Sequence, residues 1–264
     1  MYRAKNKDIS KIMDFISSEP EINLFTIGDI EAFGLESDKC QVFLHEENKK
    51  IKATVLLYHS YMTLYCKECD FDLTPVAEKI NQLIKRGATV LSGKMESIDV
   101  IQGHLKGEIK SVAREHFAKC ERLVKLNSVS YDLVQYAGAE DAQEIVELFD
   151  TLPEFQGNTS VDVMAQSLEE GSRKTTIVKI NQKICSTASL TAETKDSAMI
   201  IGVATQPTGD YRRRGFATAC VSKLVDDVNQ RGKSACLFYD NPNAGSIYKK
   251  IGFKDIGFWS MVRF

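Results

Sequence analysis

The stretch from Arg212 to Thr218 combines three consecutive arginines with a glycine and lies directly before an amphipathic segment. Apolar residues recur in that segment at spacings of three and four, which predicts a helix over about 215–230: Phe216, Ala217, Cys220, Val221, Leu224, Val225 and Val228. The first backbone N–H groups of a helix lack intrahelical acceptors and favour an anion. Gly215 and Ala217 are small enough for a phosphate to approach the backbone, and the arginines add positive charge. The stretch predicts a phosphate-binding loop.

A second stretch that could do chemistry covers residues 237–253. An apolar run ends at Tyr239, Asn241 followed by proline is typical of a helix start, and Gly252 is typical of a helix end. Ala244 and Tyr248 are four residues apart and share one helix face. Tyr248 taken alone would be a half-buried core tyrosine, but its phenol is also a proton donor.

The loop contains neither GxGxxG nor GxxxxGK[ST], so it matches neither a dinucleotide fingerprint nor a nucleotide P-loop. Arg212-x-x-Gly215-x-Ala217 instead resembles the [RQ]xxGx[GA] signature of the GNAT superfamily of N-acetyltransferases. The second stretch resembles the NxxAxxxYxKxGF motif of the same superfamily, with these residues in register: Asn241, Ala244, Tyr248, Lys250, Gly252 and Phe253. The resemblance covers about residues 129–264. Within the superfamily the chain is most similar to the bacterial FR47-like group, which is akin to glycine N-acyltransferase.

The resemblance implies an α/β fold of two tandem GNAT-like domains, each a mixed twisted sheet flanked by helices. Residues 1–126 would be a degenerate copy, because no [RQ]xxGx[GA] occurs around Gln82–Gly87, and residues 127–264 would be the acetyltransferase domain. One departure lies between Val203 and Gly215, where the loop is about two residues longer than is usual for the family, with Thr208-Gly209 as the apparent insertion.

The resemblance further implies acetyl-CoA as co-substrate, held between two splayed strands. Backbone groups of Val203 and Thr205 would pair with the pantetheine, and an N–H near Ala204 would polarise the thioester carbonyl. Tyr248 would be the general acid that protonates the departing thiolate. The full set of residues implied to contact the cofactor is Val203, Ala204, Thr205, Arg212, Arg213, Arg214, Gly215, Phe216, Ala217, Thr218, Asn241 and Ser246.

The general base and the acceptor are less well defined by the sequence. Glu154 lies in a loop where the family builds its acceptor site and could take the proton of the amine, although it could equally be a solvated loop carboxylate. Asp240 is a weaker candidate for the same role. The acceptor could be an amino acid, a polyamine, an antibiotic or a peptide amine.

Three functions remain open at this point. The first is an acetyl-CoA-dependent N-acetyltransferase that works by direct attack of the amine. The second is a non-catalytic acyl-CoA-binding or sensor protein that kept the cofactor loop. The third is a scaffold whose first half mediates dimerisation. Retention of Tyr248 favours the first function over the second, and a homodimer is compatible with all three.

The elements that must position these residues follow from hydrophobic periodicity. For the second half the pattern predicts strands over 129–136, 174–180, 184–192, 198–205, 234–239 and 257–264, and helices over 140–149, 161–168, 215–230 and 244–251. Asn181-Gln182 is typical of a tight hairpin turn. The first half shows the same order less clearly, which predicts an internal repeat.

Composition excludes several classes of protein. The 264 residues include 34 Lys and Arg against 36 Asp and Glu, so the net charge of −2 gives no support for a nucleic-acid partner. The sequence shows neither an apolar run of roughly 18 residues nor a signal-peptide core, so a cytoplasmic protein without a membrane partner is expected. Seven widely spaced cysteines predict reduced thiols. Cys66 and Cys69 form one CxxC, but with only His59 nearby no metal site is expected.

Overall fold

A computed structural model describes residues 1–157 and 159–264, which contain both helices and strands. The helices are α1 (Ile9–Ile16), α2 (Leu24–Phe33), α3 (Thr74–Lys85), α4 (Met95–Gln102), α5 (Ala142–Asp150), α6 (Val161–Glu169), α7 (Phe216–Gln230) and α8 (Pro242–Lys250). The strands are β1 (Tyr2–Arg3), β2 (Cys40–Glu47), β3 (Lys50–Tyr58), β4 (Tyr61–Cys66), β5 (Val90–Lys94), β6 (Ser111–Cys120), β7 (Val134–Tyr136), β8 (Lys174–Ile180), β9 (Lys183–Thr191), β10 (Ser197–Thr205), β11 (Ser234–Tyr239) and β12 (Lys254–Arg263). Within the described ranges, no helix has both the length and the apolar character to cross a membrane.

The chain forms two compact units whose limits differ from a simple division into halves. The first unit comprises residues 1–117 and 256–264, and the second comprises residues 118–255. The sequence placed the boundary after residue 126 and kept the C-terminal strand with the second domain. The strand belongs to the first unit because β12 pairs with β5 in antiparallel register, from Trp259↔Lys94 to Arg263↔Val90.

The second unit is built on strands in the order β7-β8-β9-β10-β11. Neighbours are antiparallel from β7 to β10, and β10 is parallel to β11. A parallel pair needs a crossover connection, which α7 supplies. The buried face of α7 packs in one core with the sheet, and its members include Phe216, Cys220, Val221, Leu224, Val225, Val228, Val178, Leu190, Ile200 and Leu237.

The first unit repeats this topology. Its strands run in the order β1-β2-β3-β4-β5, antiparallel up to β4, with β4 parallel to β5 and α3 as the crossover. The fold is therefore two tandem units of the same mixed α/β type, as the repeat in the sequence predicted. The difference lies at the end of the order, where β12 is added beside β5.

The side chain of Asn229 at the C-terminal end of α7 binds the segment 120–123, which starts at the last residue of β6. The Asn229 side-chain amide donates to the carbonyl oxygens of Cys120 and Lys233, at 3.1 and 3.0 Å. Its Oδ1 accepts from the backbone N–H of Leu123 at 2.9 Å. A side chain that satisfies three backbone groups at once fixes the path of the chain leaving β6.

Most predicted elements of the second half are present, and the largest difference is at its start. The strand expected over 129–136 is shortened to β7, because residues 131–133 form a single 3-10 turn. The Tyr131 hydroxyl accepts the backbone N–H of Leu126 at 2.8 Å, which holds the chain in this turn. The predicted helix over 215–230 is confirmed as α7, one residue shorter at its start.

Because β12 pairs in the first unit, a core mutation in β12 should lower the local stability of the first unit and not that of the second. Val262 on β12 and Val178 on β8 are fully buried valines in the cores of the first and second unit. Each Val→Ala change removes two buried methylene equivalents and should cost about 2 kcal/mol of unfolding free energy. We expect Val262→Ala to speed amide hydrogen exchange in β4 and β5, and Val178→Ala to do so in β8 and β9. Faster exchange in β8 and β9 of Val262→Ala, with β5 unchanged, would contradict this assignment.

Candidate functional site

The loop before α7 adopts a conformation that only some residues tolerate. Arg213 and Gly215 both have positive φ, at 61° and 80°. A Cβ at Gly215 would meet only Val129 Cγ2, at 3.6 Å, so conformation rather than space requires glycine there. The first hydrogen bond of α7 runs from the Ala219 N–H to the Gly215 oxygen, at 2.9 Å. The N–H groups that precede Ala219 in the first turn have no intrahelical acceptor and are available to an anion.

A cleft of about 620 Å³ opens at this helix start. It is lined by Leu126, Ser128, Val129, Arg213, Arg214, Gly215, Thr218, Ile247 and Lys250. Three cationic side chains therefore lie around the first turn of α7, and no acidic residue is among the lining residues. This concentration of positive charge and free N–H groups matches a polyphosphate.

Arg214 is the arginine whose position the structure defines best. Its guanidinium carbon lies 5.1 Å from the centroid of the Phe216 ring. Its Nη1 donates to the carbonyl oxygen of Asp210 at 3.4 Å. These contacts hold an exposed cation over the helix start. Arg212, the first residue of the signature, is exposed and is not among the residues that line the cleft.

A second feature of the site is the end of the parallel pairing between β10 and β11. The ladder runs from Ser197↔Ser234 to Ile200↔Leu237 and then stops. A bulge lies between Ile201 and Ala204, and Gly202 within it has a φ of 61°. Bulges bend a strand away from its neighbour. The β10–β11 pairing thus ends before either strand does, which leaves backbone groups of both strands without a ladder partner on this side.

Beyond the bulge, the register shows which backbone groups face the gap. Ala204 is opposite Thr187 on β9, and the Gln206 N–H donates to the Cys185 oxygen at 2.9 Å. The Ala204 oxygen also accepts from the Ser186 hydroxyl at 2.7 Å. Because N–H and C=O groups alternate in direction along a strand, those of Thr205 point to the opposite edge, where the partner β11 is no longer paired.

Tyr248 lies on α8 in the core of the second unit. It is 7% exposed, and its ring packs against the rings of Tyr239 and Phe253, with centroids 5.8 Å away in both cases. Burial raises the pKa of its phenol to about 12. Among the described residues the hydroxyl has no hydrogen-bond partner. A phenol with this pKa stays protonated at neutral pH and is available as a proton donor.

The position of Tyr248 depends on how α8 is anchored. The side chain of Asn241 caps the helix, its Oδ1 accepting from the Asn243 N–H at 2.9 Å. Gly245 lies against the Tyr239 ring, and the Tyr239 hydroxyl donates to Asp255 at 2.6 Å. Asn241, which the resemblance places on the pantetheine, therefore also has a structural role at the start of the helix.

The remaining predicted residues lie outside the cleft. Glu154 is an exposed residue of the loop between α5 and α6, and Asp240 is exposed directly after β11. Ser246 is exposed on α8, while Phe216 is buried in the core. Of the residues expected to bind the cofactor, the cleft is lined by four: Arg213, Arg214, Gly215 and Thr218.

The sequence did not identify several residues that shape the site. The sequence motif includes Lys250 without assigning it a contact. In the structure Lys250 lines the cleft together with Ile247, three residues before it on α8. The linker residues Ser128 and Val129 line it too, where the sequence indicated only a boundary and a strand. The three-residue spacing of Ile247 and Lys250 on one predicted helix face was the available signal.

Gly245 allows a test of how α8 packs against Tyr239. A Cβ there would lie 2.3 Å from Tyr239 Cε2, so the ring or the helix must shift. We expect Gly245→Ala to lower the unfolding free energy by roughly 1–3 kcal/mol, as overpacking does. Ser246→Ala, on the exposed side of the same helix, should stay within about 0.5 kcal/mol of wild type. Urea unfolding measures both, and equal stability of the two variants would contradict the packing described.

Comparisons with known proteins agree with this geometry. Residues 38–262 match the model of the family described as GNAT acetyltransferase. No curated protein matches the sequence.

Among solved structures, a GCN5-related N-acetyltransferase-like protein from Streptococcus suis 89/1591 is 13% identical, with 98% of this chain and 99% of that one covered and a TM-score of 0.62. A tandem GNAT protein from the clavulanic acid biosynthesis pathway is 10% identical, with 99% and 96% covered and a TM-score of 0.61. A protein from Novosphingobium aromaticivorans DSM 12444, assigned to the GNAT family of acetyltransferases, is 19% identical at a TM-score of 0.48. That likeness takes in 59% of this chain and 65% of the other, which is less than two thirds of its length. The family match takes in far more than half of the sequence, and the chain belongs to the GNAT acetyltransferase family.

Proposed function

We propose that this protein is an acetyl-CoA-dependent N-acetyltransferase, with its cofactor bound in the second unit and an amine as acceptor. The observation that carries the proposal is the coincidence of two features at one end of α7. The left-handed start at Gly215 lies in a cleft with Arg213, Arg214 and Lys250, and the strand leading to it has parted from β11.

The residues at this place fit coenzyme A. Three cations and the free N–H groups of the first turn of α7 suit its phosphates. The edge of β10 beyond Ile200 is no longer paired with β11 and suits the amides of pantetheine, which could add to it as a strand does. Bound there, acetyl-CoA would supply a thioester carbonyl that an amine can attack. The structure of the tandem GNAT protein from the clavulanic acid pathway is described as one without AcCoA, which supports AcCoA as the cofactor to test for this tandem fold.

The backbone of β10 would polarise the thioester carbonyl. The resemblance places the donor near Ala204, but the Ala204 carbonyl faces Ser186 on β9. The N–H of Thr205 points to the gap side, and we assign the donor role to it, with Val203 beside the bulge. A backbone donor fixed in a sheet needs no reorganisation as charge develops on the oxygen.

Tyr248 would protonate the thiolate that leaves. Its raised pKa keeps the phenol protonated at neutral pH, so the group is in its acid form when the thiolate departs. Glu154 or Asp240 would take the proton of the incoming amine, since both carboxylates are exposed at loops of the second unit. Direct attack is favoured because burial raises the pKa of Cys220 to about 12 and that of Cys120 to about 11, so neither is a ready nucleophile.

The first unit fits a degenerate copy within the FR47-like group. It has the same strand order as the second unit, but the segment from the end of β4 reads Cys66-Lys-Glu-Cys69, and no arginine followed by glycine occurs before α3. We infer that cofactor binding is confined to the second unit. The acceptor would be a small-molecule or peptide amine.

Two measurements decide between this function and its alternatives. Isothermal titration with acetyl-CoA detects cofactor binding, which a scaffold would lack. Release of free thiol over a panel of amino acids, polyamines, aminoglycosides and peptides detects turnover, which a sensor would lack. Binding with turnover on at least one class of amine supports the proposal, and absence of binding overturns it.

Gly215→Glu should abolish acetyl-CoA binding, because a side chain with a negative charge enters the phosphate site at a positive φ. Gly232→Glu is the matched control: Gly232 has a φ of 74° with open space around it, and it follows the other end of α7, which is roughly 22 Å long. Titration calorimetry should give wild-type affinity for the control. Wild-type affinity of Gly215→Glu for acetyl-CoA would refute the assigned site. Weaker but measurable binding would indicate a second acetyl-CoA site in the first unit.

Tyr248→Phe keeps the ring but removes its proton. We expect turnover to fall by roughly 10²–10⁴-fold, with acetyl-CoA affinity little changed. Since the folded pKa of Tyr248 is about 12, the acid form persists from about pH 6 to about pH 10, and the loss should be uniform over that range. Steady-state kinetics against pH measures both. Wild-type turnover in the variant, with chemistry rate-limiting, would exclude the acid role.

A further inference from the structure

The parallel ladder of the first unit ends at the place that corresponds to the end of the ladder in the second unit. Its β4–β5 ladder runs from Tyr61↔Val90 to Leu64↔Gly93 and stops after four pairs, as the β10–β11 ladder does. A Cβ at Gly93 would lie 2.4 Å from the Leu64 oxygen, so the two strands are in close backbone contact where pairing ends. In the second unit this place precedes the arginine loop. In the first unit it is occupied by a pair of cysteines, Cys66 and Cys69.

The two cysteines line one cavity of about 270 Å³ between the loop after β4 and the start of α4. The Cys69 thiol donates to the Ser97 hydroxyl at 3.9 Å, and that hydroxyl donates to the Cys66 carbonyl oxygen at 3.4 Å. Ser97 thus connects the two residues. Cys66 is buried, whereas Cys69 is the one cysteine of the seven that is partly exposed. Both residues line the cavity, and of the two only Cys69 is partly exposed.

The electrostatics of the pair differ from those of the other cysteines. A hydrogen bond from Cys66 lowers the pKa of the Cys69 thiol, and the charge of Lys94 acts in the same direction, against burial and the charge of Glu96. The same hydrogen bond, together with burial, raises the pKa of Cys66. The charged residues that line the cavity around them are Lys67, Glu68, Lys94 and Glu96. The pair therefore combines a partly exposed thiol of lowered pKa with a buried thiol of raised pKa.

We propose that Cys66 and Cys69 form a redox-active dithiol that exchanges with a low-molecular-weight disulfide such as glutathione disulfide. The Cys69 thiolate attacks one sulfur of that disulfide, whose S–S bond breaks and releases one thiolate. The Cys66 sulfur then attacks Cys69 in the mixed disulfide, forms the Cys66–Cys69 bond, and passes its proton to the second departing thiolate. Two electrons move from the dithiol to the external disulfide, which becomes two thiols.

A metal site is not an equivalent explanation of the pair. In the part of the chain that the structure describes, no three His, Cys, Asp or Glu side chains are grouped so as to hold a metal ion. An inert pair of core thiols does not account for the shared contact with Ser97 or for the exposure of Cys69 to a cavity. The site does not involve the acetyl-CoA cleft of the second unit, so a test of the dithiol is independent of a test of the proposed function.

The position of Lys67 makes the product easy to detect. Trypsin cleaves after Lys67, which separates Cys66 in peptide 53–67 from Cys69 in peptide 68–79. The full-length protein is incubated with glutathione disulfide at neutral pH, quenched with acid, alkylated and digested without reduction. Mass spectrometry should find peptides 53–67 and 68–79 joined by a disulfide, with the five other cysteines alkylated only after denaturation.

Cys66→Ser separates the two steps. It keeps Cys69 but lacks the resolving thiol, so we expect a stable glutathionyl adduct on peptide 68–79 and no joined peptides. Cys69→Ser should take up no glutathione. If Cys66→Ser does not fold, rapid acid quenching of the wild type should trap the same adduct as a transient. Unmodified Cys69 in the wild type under these conditions, or a persistent adduct that never resolves, would overturn the proposal.

Discussion

The parallel pairing of β10 and β11 ends after Leu237, and the chemistry assigned to the second unit depends on that limit. A fully paired strand has no free N–H or C=O groups for a ligand, so a longer ladder would leave no edge for pantetheine. The bulge that ends the pairing contains Gly202, whose positive φ bends β10 away while Ala204 regains its pairing with β9. The bulge at Gly202 thus leaves the β11 side of the strand unpaired, whereas the β9 side remains hydrogen-bonded.

The same limit occurs in the first unit with different side chains around it. There the β4–β5 ladder ends at Leu64↔Gly93, and the end of β4 and the loop after it carry the thiols of Cys66 and Cys69 instead of arginines. The backbone geometry of the repeat therefore constrains where a site can form, and the residues of the loop after the fourth strand decide its chemistry. The first unit thus keeps the same end of the parallel ladder with other side chains beside it.

Local patterns in the sequence were sufficient for much of the second unit. The apolar stripe of α7, the Asn181-Gln182 turn and the cap at Asn241 are each determined within a few residues, and all three are present. The inclusion of Lys250 in the cleft depends on where α8 is seated, which the packing of Gly245 on Tyr239 determines. Such contacts join residues from different elements, and periodicity within one element carries no information about them.

The placement of β12 is a second feature that periodicity within one element does not determine. Its alternating pattern predicts a strand, but an alternating pattern is compatible with any sheet edge that offers free backbone groups. The edge that it occupies is that of β5, where Trp259 and Val262 become buried. The backbone N–H of Phe264 also donates to the Thr89 oxygen at 2.9 Å, which fixes the end of the strand. Residues 256–264 therefore stabilise the first unit, and a fragment that begins after residue 126 would carry β12 without its partner β5.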